Sequence, residues 1–265
     1  MKSWYSQKLA LDQAYKNSIS QRIEREWGAI FCNESNPSFY DANHAEIMAP
    51  VTNAEEVVRE VISFFESRQI IPRFYIYHPE QCADLLGSLS SRHFTFEEFE
   101  DRLLVWNGLV TIQPPDMSVE IERVITENEQ AACQVISGTP ELGSEDMRKI
   151  AFAAERSNPV YSHYLLRYEG EPASCACLIR SEDAISLENV ATLPAFRGKG
   201  LIRHLISYMQ QEVAKQGINS FFVSPINERV GRVYEKCGFE PIGETLRTAH
   251  AFRGGKSVSE IRGNS

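Results

Sequence analysis

The stretch Ala184–Gln216, AISLENVATLPAFRGKGLIRHLISYMQQEVAKQ, decides the fold. A turn triplet, Ser181-Glu182-Asp183, precedes it, and the Ile, Leu and Val of Ala184–Thr192 alternate, which predicts a strand ending near Pro194. Leu201, Leu205, Ile206, Met209 and Val213 then recur at helical spacing up to Gly217, a C-terminal stop. Between the two lies Arg197-Gly198-Lys199-Gly200-Leu201-Ile202. Its glycines permit a tight turn in which backbone N–H groups converge, and the helix that follows adds its own unpaired N–H groups and positive dipole end. Such a loop is a socket for a phosphate or pyrophosphate. It is neither a P-loop, which needs Ser or Thr after Gly-Lys, nor a GxGxxG fingerprint. An ordinary strand-to-helix turn with a solvated Arg and Lys would show the same letters.

A second motif follows the helix: Asn227-Glu228-Arg229-Val230-Gly231-Arg232-Val233-Tyr234-Glu235-Lys236-Cys237-Gly238-Phe239. With both motifs in this order, the chain from about Val119 to Phe252 resembles the GNAT superfamily of acyl-CoA-dependent N-acetyltransferases. That signature has an Arg/Gln-x-x-Gly-x-Gly/Ala loop and a later helix bearing Asn, Tyr and Gly-Phe. Two positions depart from it. Ile202 stands where the loop usually carries Gly or Ala, and Val230 where a small residue is common; Ile202 is expected to turn into the helix packing rather than toward the cofactor.

The resemblance implies an α/β fold with a mixed sheet and acetyl-CoA as acyl donor to a primary amine, transferred directly in a ternary complex. It places Val190, Ala191 and Thr192 beside the pantetheine arm, and the backbone of Arg197, Gly198, Lys199, Gly200, Leu201 and Ile202 on the pyrophosphate. Asn227 matches the position that touches the cofactor arm, and is equally an N-cap for its own helix. Tyr234 matches the family's general acid, or is a core aromatic anchoring its helix. Glu188 is the candidate base: strand alternation predicts that it faces the same side as Val190 and Thr192. A carboxylate in a mostly apolar strand is costly unless paired or functional, so a buried salt bridge is its other reading. Acceptor contacts in the family come from variable segments, here about 137–159 and 247–252.

The chain has 265 residues, 43% hydrophobic and 24% charged, an ordinary globular composition for one large or two smaller domains. A formal net charge of -9 argues against a nucleic-acid or anionic-membrane binder, which would need clustered positive charge. No apolar run reaches the length of a membrane span and the N-terminus lacks an apolar signal core, so a cytoplasmic protein is expected, monomer or homodimer. Cys32, Cys82, Cys133, Cys175, Cys177 and Cys237 are scattered, and no metal-ligand spacing supports a metal site. Cys175 and Cys177, on a predicted strand, read as small buried residues.

Before the predicted linker Gln113-Pro114-Pro115-Asp116, the periodicity gives a helix from Trp4 to about Glu24 and a strand over Trp27–Cys32. A loop at Asn33–Asp41 and a strand at His44–Ala49 follow, then a helix from Asn53 to about Ser67 with Asn53 as N-cap. Next come a strand at Arg73–Tyr77, a helix over Pro79–Ser91, and one or two strands over Thr95–Val105. Glu46, Pro50 and Phe94 precede Glu188, Pro194 and Phe239 at a nearly constant separation, and the element order recurs. Yet Pro50 is followed by Val51-Thr52-Asn53-Ala54, without glycine or base. The expected organisation is a degenerate GNAT-like or other α/β domain over 1–113, an acetyltransferase domain over 117–252, and a mobile tail over 253–265. The rival reading from another class is a non-catalytic acyl-CoA-binding or scaffold protein.

Overall fold

A computed structural model of the protein describes residues 3–218 and 220–261. In chain order the elements are α1 (Trp4–Ile19), β1 (Gln21–Arg25), β2 (Gly28–Cys32), β3 (His44–Ile47), α2 (Ala54–Glu66), β4 (Arg73–Tyr77), α3 (Ala83–Ser91) and β5 (Thr95–Trp106). After the segment 107–118 come β6 (Val119–Arg123), α4 (Glu129–Ser137), α5 (Glu145–Arg156), β7 (Tyr161–Tyr168), β8 (Glu171–Arg180), β9 (Ile185–Thr192), α6 (Leu201–Ala214), β10 (Phe221–Val223), α7 (Glu228–Glu235), β11 (Phe239–Phe252) and α8 (Val258–Ile261). Among the described residues no helix is long and apolar enough to cross a membrane. The fold is mixed α/β.

The chain forms two compact units: Met1–Tyr15 with Arg102–Glu244, and Lys16–Asp101 with Thr245–Ser265. The expected linker at Gln113–Asp116 therefore lies inside the first unit, and β5 and β11 each contribute residues to both. In the first unit the strands run β5-β10-β9-β8-β7-β6. β9 and β10 are parallel and the other neighbours antiparallel. Leu201, Leu205, Ile206, Met209 and Val213 of α6 lie in one core with Ile185 and Leu187 of β9, Phe221 and Val223 of β10 and Tyr234 of α7. On α4 and β9, Ala132, Val135, Ile136 and Ala191 share a second core with Cys175. Leu11 of α1 joins a third with Cys177, Ile179, Ala184 and Phe222.

In the second unit the order is β1-β2-β3-β4-β11, with β3 and β4 parallel. All five residues of β4 are buried, as expected of a strand covered on both faces. Thr248–Phe252, part of the segment expected to meet an acceptor, pair antiparallel with Tyr77–Arg73. α2 presents Val57, Val58, Val61 and Phe65 to the core. The Asn53 side chain accepts a hydrogen bond from Glu56 N at 3.2 Å, so this helix start is closed by its own cap.

Two further expectations change. α1 stops at Ile19, because Gln21–Arg25 forms a hairpin with β2. Ile23 continues the helical spacing of Ile19, but it satisfies strand alternation equally well. Gly28 closes the hairpin with a φ of +147°, and a Cβ there would meet Glu46 O of β3 at 2.0 Å, so glycine also lets β3 approach β2. The tail is partly ordered, with Val258 buried and Glu97 accepting from Val258 N at 2.7 Å and Ser259 N at 3.1 Å. Residues 262–265 of that tail lie outside the described residues.

Candidate active site

β9 and β10 begin side by side and then part. Their parallel register runs from Ile185↔Phe221 to Leu187↔Val223 and stops, while β9 continues to Thr192. On its other edge β9 carries an irregularity. Cys177 lies opposite Glu188 and Cys175 opposite Ala191, so Asn189 and Val190 together oppose Ala176. This is a β-bulge, and its first residue, Asn189, adopts a left-handed φ of +51°, the conformation of the G1 type.

The bulge corrects the expectation from alternation. Before it, Ile185 and Leu187 face the α6 core and Glu188 points the other way, toward Lys8 of α1. After it, Val190 packs on the α6 core and Ala191 on the α4 core. Glu188 and Val190 thus lie on opposite faces of β9, because the extra residue shifts the two-residue period by one. Thr192 Oγ1 and Ser174 Oγ are 2.9 Å apart, which secures the far end of the strand to β8.

Beyond Thr192 the turn Pro194–Phe196 leads into the glycine loop. Gly198 and Gly200 have φ of +80° and +75°, conformations that an L side chain resists. Gly200 is the N-cap of α6 and has no side chain to close it; Arg203 N turns back on Gly200 O at 3.2 Å, and no side chain caps the N–H groups of Leu201 and Ile202 before it. Among the loop's bases, Arg197 is engaged: its guanidinium forks onto Glu141 at 2.8 and 2.7 Å and donates to Thr192 O at 3.1 Å. Lys199 Nζ sits 4.9 Å over the Tyr168 ring. Arg203 was not singled out from the sequence. Its Nη2 lies 2.8 Å from where a Gly200 Cβ would be, and its place three residues after Gly200, on the same helix face, is the signal that would have found it. Leu201 is buried and Ile202 packs against the α6 core, as expected of both.

Tyr234 of α7 is 5% exposed and packs in the α6 core. Burial pushes its hydroxyl well above the ordinary phenol range, and the charge of Glu188 adds to the effect. The two residues are close enough to feel each other electrostatically. Glu188 is one-third exposed, accepts from Ser186 Oγ at 2.5 Å and has Lys8 Nζ 3.8 Å away. Lys8 itself sits closer to Asp12. Asn227 caps α7, accepting from Val230 N at 2.9 Å, so its structural reading is realised.

Beneath the bulge lies a buried polar group that periodicity did not disclose. Arg148 and Glu155 of α5 stand at a heptad interval on one helix face, 3.1 Å apart, with His163 Nε2 3.0 Å from the same carboxylate. Burial opposes ionisation of Glu155, but Arg148 and His163 outweigh it and hold its carboxyl below the usual range. Cys175 and Cys177 are fully buried, and burial pushes both thiols up, which makes them inert. Among the described residues no cluster of three or more His, Cys, Asp or Glu could hold a metal.

The likeness to known proteins lies in this region. Residues 126–239 match the profile of the family described as Acetyltransferase (GNAT) family. No curated protein matches the chain. Among solved structures, a GCN5-related N-acetyltransferase from Kribbella flavida shares 17% identity at a TM-score of 0.66, covering 94% of this chain and 95% of that one. A functionally unknown conserved protein from Staphylococcus epidermidis shares 12% identity at a TM-score of 0.67, covering 88% and 94%. A GCN5-related N-acetyltransferase from Sphaerobacter thermophilus shares 13% at 0.53, covering 77% and 69%. These likenesses concern the fold. Two glycines in the left-handed region before an uncapped helix and a bulged strand leaving its parallel neighbour fall within the same stretch: residues 126–239 match the GNAT family model, and the chain has the fold of the solved GCN5-related structures.

Proposed function

We propose that this domain transfers the acetyl group of acetyl-CoA to a primary amine, directly and within a ternary complex. The observation that carries the reading is the parting of β9 from β10 beside the open N-terminus of α6. The parting exposes backbone N–H and C=O groups of Val190, Ala191 and Thr192 to an extended thioester arm. The helix start, with Arg203 and Lys199 at hand, takes the pyrophosphate. Bound acetyl-CoA supplies the activated acyl group. Glu188, directly or through a water, takes the proton of the attacking amine, while Tyr234, kept protonated by its buried setting, gives one to the leaving sulfur. Alignment of donor and acceptor supplies much of the acceleration.

The second unit repeats the arrangement of a parallel strand pair and helices without its socket. Asn53 closes α2 where Gly200 leaves α6 open, and we read this unit as a degenerate partner.

The test is calorimetric titration of acetyl-CoA and CoA, followed by thiol release on a panel of small primary amines. Binding with release that Tyr234→Phe suppresses supports the enzyme. Binding without release on any amine turns the reading to a CoA-responsive scaffold, and no binding overturns both.

A further inference from the structure

The Glu155 carboxylate takes no part in the chemistry just described, yet it is the best-satisfied buried acid of the first unit. Besides Arg148 and His163, it accepts from Asn189 Nδ2 on both oxygens, each at 3.2 Å. Arg148 is 2% exposed and Glu155 and His163 0%. Filling the same space with apolar side chains would often serve stability as well or better, so a buried ion pair is weak as a stability device and stronger as a means of specifying one geometry. What the carboxylate specifies here is visible. Asn189 is the bulge residue, and a non-glycine residue held at positive φ persists only where its surroundings over-determine it.

We propose that Asn189, tethered to the buried Glu155 carboxylate, is the positioning residue that fixes the register of β9 beyond Glu188 and thereby aims the Val190–Thr192 backbone. The proposal rests on the reading that this part of β9 holds the thioester arm. Without the tether, the strand is free to relax to regular pairing, in which Asn189 alone opposes Ala176. Every residue after it then slips by one and turns to the other face. Thr192 leaves Ser174, Val190 leaves the α6 core, and the N–H groups that meet the arm point away. The tether acts on the donor through the backbone and touches no reacting atom.

Asn189→Gly tests it, because glycine adopts positive φ freely and removes the amide alone; Asn189→Val removes the amide and resists positive φ as well. The readouts are amide hydrogen exchange over 186–193, acetyl-CoA affinity by calorimetry, and thermal melting. For Asn189→Gly we expect exchange at Val190–Thr192 to quicken by about tenfold as local opening becomes cheaper. We expect acetyl-CoA to bind about tenfold more weakly or worse, since misplacement by ~1 Å can cost ~100-fold. Melting should fall by a few degrees at most, and Asn189→Val should exceed Asn189→Gly in exchange and affinity. Wild-type exchange and affinity in Asn189→Gly overturn the proposal. So does a purely structural outcome, in which melting falls and exchange rises evenly over β8 and β9 while the folded variant binds acetyl-CoA as tightly as wild type. If wild type itself does not bind acetyl-CoA, the functional reading fails, and the exchange pattern still decides whether the tether sets the register.

Discussion

Gly200→Glu separates the phosphate socket from the turn that builds it. At φ +75° a side chain costs about 1–2 kcal/mol in backbone strain. The new Cβ meets Arg203 Nη2 at 2.8 Å, the end of a flexible side chain that can swing aside. A carboxylate at the start of α6 returns about 0.3–1 kcal/mol through the helix dipole, so the net effect on folding is small. For a bound pyrophosphate the sign is opposite. One added negative charge at roughly 6 Å, in a surface-like effective dielectric of about 20, repels each phosphate charge by about 3 kcal/mol, or ~100-fold in affinity. Gly198→Ala is the control, with φ +80°, open space around the new Cβ and no charge: it should melt lower yet bind within about threefold of wild type. Calorimetry with acetyl-CoA reads both variants, and added salt should recover part of the loss in Gly200→Glu. The socket is in the wrong place if Gly200→Glu binds like wild type. Equal losses in the two variants would assign the effect to strain instead of charge.

Other outcomes follow from the same geometry. Tyr234→Phe keeps the buried ring and should leave the melting point within a few degrees, while lowering kcat about 100-fold or more with little change in KM for acetyl-CoA. Asn227→Ala should cost about 1 kcal/mol of stability through the lost cap, measured by denaturant midpoint. Glu155 is held below the ordinary carboxylate range in the fold, so its stabilising effect is complete above the unfolded value of about 4.3 and fades as pH falls through the lower folded value. Acid melts of wild type should therefore steepen below that point relative to Glu155→Gln, which is weaker at neutral pH by about 3–5 kcal/mol because the buried Arg148 no longer faces the Glu155 charge. Parallel acid curves would show that the carboxyl is not ionised in the fold.

The sequence was most readable where one residue type has one physical use. The glycine loop, the apolar face of α6 and the Asn53 cap stand where the pattern puts them, and Arg73–Tyr77 matches its strand end to end. Reading failed where two periods coincide or a period is broken. Ile23 fits helix and strand alike, and the bulge at Asn189 reverses the facing of Val190 with no Gly or Pro to mark it. Arg148, Glu155 and His163 were invisible because their partners are brought together by packing between α5, β7 and β9. The linker motif Gln113–Asp116 is real loop, but loop composition reports local backbone chemistry and carries nothing about which strands pair across the chain.

Each unit is built from two separated stretches of chain, and that has a consequence for synthesis. β4 is buried on both faces and pairs along Arg73–Tyr77 with Thr248–Phe252, so one of its edges stays bare until the ribosome has released the far end of β11. At cellular elongation rates that interval is on the order of ten seconds. During it, a five-residue strand rich in aromatic and aliphatic side chains offers unpaired N–H and C=O groups to any other strand, including those of neighbouring nascent chains. The second unit thus completes its fold only once β11 has emerged, and its yield should depend on crowding and chaperone supply more than its finished stability would suggest.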